Sequence, residues 1–263
     1  MENAREQLIR HGLVQIAEAG VAIRLDTVSL TAAAEAQRIS VDEAAEIWRG
    51  APGDPEPEER YREAVAVRLL EEQPAIGDGG HEGTALTETL LAVSAMIESM
   101  PDLATLTPAE RGDWLRRVYR AGTDANLALA DDSLLWRSYV ALGTVALSQP
   151  SASAALRAAW EKGDESTATR YLNIYSVLAS MFGLRLRYCY TWPQFTTAVS
   201  AVSEGLMIRS NVSEEVRVTE RLTGPDGEAE RWTLFAVCFE ALIRQFFEPD
   251  DSGIVTDIEH ETG

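Results

Sequence analysis

Apolar residues recur along most of this chain at intervals of three and four positions, which is the spacing of one face of an α-helix. The first such stretch spans residues 4–19, and four apolar residues share one side of it: Leu8, Ile9, Leu13 and Ile16. No stretch shows the sustained alternation of apolar and polar residues that a half-buried strand requires. The pattern therefore predicts an all-α protein.

Two short helices are predicted after the first one. Ser29 can cap a helix that reaches Arg38, and Ser40 can cap a third helix that reaches Trp48, because a serine side chain accepts a hydrogen bond from the first turn of a helix. A helix, a second helix, a tight turn and a third helix form the arrangement that lets a recognition helix enter the major groove of DNA. Residues 1–50 are therefore predicted to be a helix-turn-helix domain.

Three prolines and two glycines in residues 49–57 interrupt the helical pattern and predict a domain boundary. Eight further helices are predicted beyond it, near residues 58–72, 86–100, 108–130, 133–148, 152–162, 166–182, 193–209 and 228–247. Residues 51–248 are expected to form a larger helical domain. The acidic stretch 249–263 has little apolar pattern, which predicts a disordered tail.

Two of these helices begin with a capping box, one at Thr107–Glu110 and one at Thr191–Gln194. In each, the threonine can accept a hydrogen bond from the first turn while the residue three positions on reaches back to the threonine backbone. These signals predict the starts of the two helices.

Charge narrows the range of partners. The formal net charge of −19 argues against nonspecific attraction to nucleic acid or to anionic membranes. Any contact with DNA must therefore be local.

No window approaches the roughly 18 apolar residues of a membrane span, and the first residues are charged where a secretory signal is apolar. A soluble, cytoplasmic protein is expected.

The sequence lacks the usual signatures of catalysis. Its three histidines, His11, His81 and His260, are far apart, and no metal-hydrolase or nucleophile motif occurs. The glycine-rich stretch 77–83 follows no predicted strand, so it is more typical of a flexible linker than of a phosphate-binding loop. We expect a protein that is not an enzyme and needs no cofactor or metal.

The stretch 29–40 resembles the second helix and turn of the tetracycline-repressor-like (TetR/AcrR) family of bacterial transcription regulators. Ser29 stands at that family's usual threonine, Ile39–Ser40 at its usual Val-Ser, and Trp48 at the phenylalanine that ends its recognition helix. A second window, from Trp192 to Arg209, resembles the penultimate helix of many members. The resemblance implies contacts with an operator DNA through the following residues: Arg24, Ser29, Thr31, Arg38, Ser40, Val41, Asp42, Glu43 and Arg49.

The departures from the family pattern fall on residues that touch DNA in the family. Arg38 replaces the turn glycine, Ala45 the tyrosine of the recognition helix, Ile47 the histidine and Ala51 the lysine. Residues 1–50 contain five basic and eight acidic side chains, whereas a DNA reader usually presents a positive face. Two alternatives stay open: the acidic residues stabilise the start of the third helix while arginines cluster on one face, or the fold is retained without DNA recognition.

The resemblance also implies a pocket for a small-molecule effector in the larger domain, lined by apolar and aromatic groups. The aromatic residues available for such a pocket are Trp114, Tyr119, Trp136, Tyr139, Tyr171 and Tyr175. At any single position, packing in the core competes with this role. Tyr171 and Tyr175 lie four apart, which predicts one pocket wall with hydroxyl groups.

Two apolar seams near the carboxyl end predict a homodimer. They consist of Phe195, Val199, Val202 and Leu206, and of Trp232, Phe235, Phe239, Leu242 and Phe246. The last helix is apolar nearly all round and must be covered on both sides. The resemblance implies a two-fold four-helix bundle, and the alternative is burial within one subunit.

These observations together predict a ligand-responsive DNA-binding regulator, with a repressor expected, whose effector weakens operator binding. The alternative is a dimeric ligand- or protein-binding module that has this fold but has lost DNA recognition.

Overall fold

The computed structural model describes residues 2–19, 25, 27–72, 85–148, 154–210, 212–223 and 228–258, and most of them are helical. This confirms a predominantly helical protein. The helices are α1 (Glu2–Ala19), α2 (Leu30–Gln37), α3 (Val41–Ile47), α4 (Pro57–Glu72), α5 (Ala85–Glu98), α6 (Pro108–Asp132), α7 (Leu134–Ser148), α8 (Ala154–Met181), α9 (Trp192–Ser210) and α10 (Leu234–Phe246). Single 3-10 turns occupy Leu103–Thr105 and Glu214–Val216.

Both predicted capping boxes are confirmed. The Thr107 backbone N–H donates to Glu110 Oε2 at 2.7 Å, and the Glu110 N–H donates back to the Thr107 hydroxyl at 3.3 Å. Thr191 and Gln194 form the same reciprocal pair at 2.9 and 3.4 Å. These pairs satisfy backbone donors that an uncapped helix leaves open.

Helix α8 is continuous where the sequence predicted two helices, near 152–162 and 166–182. The expected break includes Gly163, a residue of low helix propensity. In the structure a Cβ at Gly163 would lie 2.1 Å from the Leu70 carbonyl oxygen. The glycine therefore permits a close approach between α8 and α4 instead of ending the helix.

Two short antiparallel strand pairs were not predicted. β1 (Leu184–Leu186) pairs with β4 (Phe247–Pro249), and β2 (Thr219–Arg221) pairs with β3 (Glu230–Trp232). Three-residue strands are too short to produce a detectable alternation. As a result, the helix predicted to begin near residue 228 begins at Leu234, where the Thr233 hydroxyl accepts from the Ala236 N–H at 3.1 Å.

The chain divides into two compact units: residues 1–84 with 133–166 form unit 1, and residues 85–132 with 167–263 form unit 2. This division differs from the boundary expected near residue 50. The core that holds α1, α2 and α3 also receives Tyr61 and Leu69 from α4 and Tyr139 from α7. Three short helices alone offer too little apolar surface for a core of their own.

Unit 1 is organised around α1, which contacts α2, α4 and α7. The buried Tyr61 hydroxyl of α4 donates to the Leu8 carbonyl of α1 at 2.8 Å. Trp48 packs edge-on against Tyr61 with ring centroids 5.6 Å apart, and the Arg5 guanidinium lies 4.5 Å from the Trp48 ring centroid. These contacts hold the end of α3 on the shared core.

Unit 2 has a core rich in aromatic side chains, to which α6, α8, α9 and α10 contribute. Phe239 of α10 lies within about 6 Å, between ring centroids, of Tyr119, Tyr175 and Phe195. Helix α10 contacts both α6 and α9. Helix α10 therefore packs its aromatic side into this core, while Ala241 and Gln245 stay exposed.

The carboxyl-terminal segment, expected to be a disordered tail over 249–263, is folded within unit 2 over its described residues 249–258. The Asp257 N–H donates to the Pro108 carbonyl at 3.0 Å, and Arg111 Nη1 donates to the Val255 carbonyl at 2.7 Å. Thr256 is fully buried, and its hydroxyl donates to the Phe182 carbonyl. Backbone hydrogen bonds of this kind leave little signal in an acidic sequence, which explains the difference.

Candidate functional sites

A cavity of about 80 Å³ lies inside unit 2 among α5, α6, α8, α9 and α10. Six of its lining residues are apolar: Val93, Ile174, Leu178, Val199, Phe235 and Phe239. Six carry hydroxyl or amide groups: Thr89, Thr123, Asn126, Thr196, Ser200 and Ser203. Gly122 and the tyrosines Tyr119, Tyr171 and Tyr175 also line the cavity, and none of these described lining residues is an aspartate, glutamate, histidine, lysine or arginine.

Asn126 is the centre of the polar side of this cavity. Its Nδ2 donates to the Tyr171 hydroxyl oxygen at 3.2 Å and to Thr89 Oγ1 at 3.4 Å. Tyr171 also stacks on Tyr175, with ring centroids 5.7 Å apart. Burial raises the pKa of Tyr171, which the hydrogen bond from Asn126 partly offsets, and burial raises the pKa of Tyr175 well above its usual range. Both hydroxyls therefore remain protonated donors at neutral pH.

A second, apolar cavity of about 40 Å³ lies beside the first in unit 2. The two cavities share Tyr119, Tyr175, Leu178 and Phe239 as a common wall. The buried Tyr119 hydroxyl makes no hydrogen bond of normal geometry among the described residues. Burial, and next the negative charge of Glu240, raise the pKa of this hydroxyl.

Glu240 lies on α10, outside the two cavity walls, and is compensated by arginines. Its carboxylate contacts Arg244 Nη2 at 2.9 Å, Arg116 Nε at 3.6 Å, and Arg221. A buried carboxylate requires such partners. This cluster is therefore a paired structural network, and the cavity beside it stays uncharged.

Three of the six aromatic residues predicted for a pocket line the cavity, namely Tyr119, Tyr171 and Tyr175. The other three do not line it. Trp114 lies under the Arg117 guanidinium at 4.9 Å, Tyr139 stacks on Trp160 at 4.9 Å in unit 1, and Trp136 also belongs to unit 1. Side-chain size marks an aromatic residue as buried without showing which core it enters.

The sequence analysis missed the polar residues of the cavity, above all Asn126 and Thr123 on α6. Both are buried, and they follow Tyr119 on the same face at positions 119, 123 and 126. Polar residues inside an apolar stripe need hydrogen-bond partners and so indicate a cavity or a ligand. That signal was present in the sequence.

The residues predicted to contact DNA lie around α2 and α3 of unit 1, except Arg24, which is outside the described residues. The Ser29 hydroxyl accepts from the Ala32 N–H at 3.3 Å, and the Ser40 hydroxyl accepts from the Glu43 N–H at 3.1 Å. Both serines therefore serve as helix caps. Arg38 forms the turn between the helices with φ 58°, in the left-handed region.

The outer side of α3 carries more negative than positive charge. Asp42, Glu43 and Glu46 are exposed, and so are Thr31 on α2 and Val41 at the start of α3. The exposed Arg49 guanidinium contacts Glu46 Oε2 at 2.6 Å. Asp42 and Glu43 lie in the first turn of α3, where their negative charges interact favourably with the positive end of the helix dipole. Near DNA phosphates the same carboxylates repel.

The residues predicted for a dimer interface are buried within one chain. Phe195, Val199, Trp232, Phe235, Phe239 and Phe246 are each at most 9% exposed in the core of unit 2. Val202, Leu206 and Leu242 pack half-buried against the same core. The alternative of burial within one subunit therefore accounts for these seams, because α6 and α9 cover the last helix.

A different face of α9 remains exposed. It carries Thr197, Ala201, Gly205 and Ile208, with Val212 beyond the helix end. No atom lies within 4 Å of the Cβ position at Gly205. This face combines small and apolar side chains with polar ones, since Gln194 is exposed and Glu204 half-exposed beside them.

Within the described ranges, no cluster of three or more histidine, cysteine, aspartate or glutamate side chains is arranged to hold a metal ion. None of the described helices has the length and hydropathy needed to cross a membrane. Comparison of the chain with protein-family models, with curated proteins and with solved structures finds no match.

Proposed function

We propose that the chain is a ligand-responsive, DNA-binding transcription regulator of the TetR type, with α3 as the helix that contacts DNA and the unit 2 cavity as the effector site. The observation that carries this proposal is the pair α2–α3. A left-handed residue, Arg38, separates the two short helices, serine side chains cap both, and the outer side of α3 is exposed. This geometry fits a helix that docks in a groove.

Regulation on this proposal is a population shift. Effector binding in the cavity favours a conformation in which the α3 helices of a dimer no longer match the spacing of an operator. The cavity of unit 2 supports the effector part, because it combines an apolar wall with a few hydrogen-bonding groups, which is typical of small-molecule sites.

The proposed regulator is a homodimer. Since the predicted seams are buried in one chain, the exposed face of α9 is the surface proposed for the second copy. Its small residues Ala201 and Gly205 allow close helix–helix packing, and the exposed Ile208 and Val212 gain burial on association.

A gel-retardation assay with fragments of the native genome at low salt tests the proposal. The Glu46→Gln variant is expected to bind the retarded fragment about threefold to tenfold more tightly than the wild-type chain, because the change removes one carboxylate and releases Arg49 for a phosphate. Its plot of log affinity against log salt should be steeper by about 0.9.

Glu98→Gln on α5 is the matched control, since it makes the same charge change at an exposed residue of unit 2. Equal gains for both variants would show a net-charge effect and contradict a role for α3. The absence of any retarded fragment at micromolar protein would contradict DNA binding altogether.

The second candidate function is a ligand-binding module without DNA recognition. The acidic outer side of α3 and the Arg49–Glu46 contact favour it. Under this candidate the cavity binds its ligand while no genomic fragment is retarded, so the same assay separates the two functions.

A further inference from the structure

The two cavities of unit 2 differ in polarity, and this difference defines the chemistry of a ligand. The larger one has Asn126 and Tyr171 on one side. The smaller one is lined by apolar side chains apart from the two tyrosines that it shares with the first. A molecule that occupies both therefore meets hydrogen-bonding groups at one end and hydrocarbon at the other.

We propose that this pair of cavities binds an uncharged small molecule with an apolar body and one hydroxyl oxygen, of the class of simple aromatic or aliphatic alcohols. The hydroxyl lies at Asn126 and Tyr171, and the apolar body extends toward Phe239 and the second cavity. This inference rests on the ligand-binding part of the proposed function and is independent of DNA recognition.

The hydrogen-bonding groups of the wall match an alcohol. The Tyr171 oxygen accepts from Asn126, which leaves the Tyr171 O–H to donate to a ligand oxygen. The Thr123 hydroxyl donates to the Arg120 carbonyl at 3.0 Å, and the Ser203 hydroxyl donates to the Ser200 carbonyl at 3.1 Å. Their oxygen lone pairs therefore remain to accept from a ligand O–H. An alcohol provides both the acceptor and the donor.

The absence of charge from the wall excludes ionic ligands. Among the lining residues that the structure describes, none is an aspartate, a glutamate, a lysine, an arginine or a histidine. The nearby Glu240 carboxylate is already paired with arginines, among them Arg244 at 2.9 Å. A carboxylate or ammonium ligand would lose its hydration without gaining an opposite charge, which is strongly unfavourable.

The free volume limits the ligand to a single ring or a short chain. The cavities measure about 80 and 40 Å³, whereas an engineered apolar cavity of about 150 Å³ binds benzene. A ring therefore fits when the shared side chains Tyr175 and Phe239 move apart, which joins the two spaces. Movement of these two side chains, which both cavities share, therefore supplies the missing room.

Isothermal titration calorimetry on the full chain with benzyl alcohol, toluene and benzoate tests the proposal. Benzyl alcohol is expected to bind, toluene to bind about fivefold more weakly, because it gains no hydrogen bond from the Tyr171 hydroxyl, and benzoate to show no binding at the same concentration. Tyr171→Phe should reduce the affinity for benzyl alcohol about fivefold and leave toluene unchanged.

Two further variants distinguish an effect on the binding site from an effect on the fold. Val177→Ala changes an exposed residue of the same helix, 62% exposed, and should leave all three affinities unchanged. Ser200→Leu fills the cavity and should abolish binding while circular dichroism shows an intact helical fold. Binding of benzoate as tight as that of benzyl alcohol, no binding of benzyl alcohol, or an unchanged affinity in Tyr171→Phe would each overturn the proposal.

The DNA assay distinguishes this failure from failure of the proposed function. If the protein retards a DNA fragment but binds no alcohol, the proposed regulator is supported and the proposed ligand class is wrong. If the protein binds benzyl alcohol but retards no DNA fragment, the proposed ligand class is supported, and so is the second candidate function.

Discussion

Arg38 adopts a backbone conformation that is unfavourable for a residue with a side chain. Its φ of 58° lies in the left-handed region, where a side chain costs about 1 kcal/mol and glycine costs nothing. We expect Arg38→Gly to raise the free energy of unfolding by about 0.5 to 1 kcal/mol, measured by urea denaturation. Gln37→Gly, one position earlier in α2, should lower it by a similar amount, and the same sign for both variants would contradict this account.

Asp124 is a residue whose charge depends on burial. Burial raises its pKa more than the Thr233 hydroxyl and Arg120 lower it. Because the folded state then binds the proton more tightly than the unfolded state, stability falls as the pH rises from about 4 through the raised pKa. The hydroxyl of Thr233 donates to Asp124 Oδ1 at 2.8 Å, a bond that an asparagine oxygen can also accept.

Asp124→Asn should therefore remove this part of the pH dependence. Relative to the wild-type chain, its free energy of unfolding is expected to increase between about pH 4 and pH 7. Urea denaturation at a series of pH values measures the difference, and a constant difference between the two proteins would refute the assigned pKa shift.

Among the helices, α6 depends on a glycine for its contact with the carboxyl-terminal segment. A Cβ at Gly112 would lie 2.1 Å from the Asp257 carbonyl oxygen, whereas the Cβ position at Gly205 of α9 is open. Gly112→Ala should therefore lower the free energy of unfolding by about 1 to 3 kcal/mol, because backbone must move. Gly205→Ala should raise it by up to about 1 kcal/mol through helix propensity.

Limited proteolysis gives a second measurement for this pair of variants. Displacement of residues 254–258 from α6 should expose them to carboxypeptidase in Gly112→Ala and leave them protected in Gly205→Ala. Equal protection in both would mean that this segment is not held by the contact with Gly112.

At the scale of the whole molecule, the burial of the predicted interface residues inside unit 2 changes what their substitution should do. Phe239 is 6% exposed inside unit 2, so Phe239→Asp places a charge in the core and should lower the free energy of unfolding by more than about 3 kcal/mol. Loss of near-ultraviolet circular dichroism would report this. A folded variant that merely changes from dimer to monomer would contradict burial in one chain.

Ile208→Asp is the counterpart on the exposed face of α9. Ile208 is 51% exposed, so the change should alter the free energy of unfolding by less than about 0.5 kcal/mol. If the proposed dimer uses this face, light scattering should show half the mass of the wild-type assembly. An unchanged mass would remove this face from the proposed interface.

The sequence by itself determined the local features. Helical periodicity predicted a helical protein, and the threonine and serine caps predicted where α2, α3, α6 and α9 begin, because caps and propensity act within a few residues. The polar residues within the apolar stripe of α6 are also visible in the sequence, but their hydrogen-bond partners on α5 and α8 are not.

Only the tertiary structure decided which elements share a core. It grouped α1, α2 and α3 with α4 and α7, buried the terminal seams inside unit 2, and brought Asn126 to Tyr171. A stripe of apolar residues shows that a helix face is covered, but the covering helix comes from a distant part of the chain or from a second copy, and the stripe is identical in both cases. The location of the cavity, its lack of charge and the order of residues 249–258 follow from those long-range contacts.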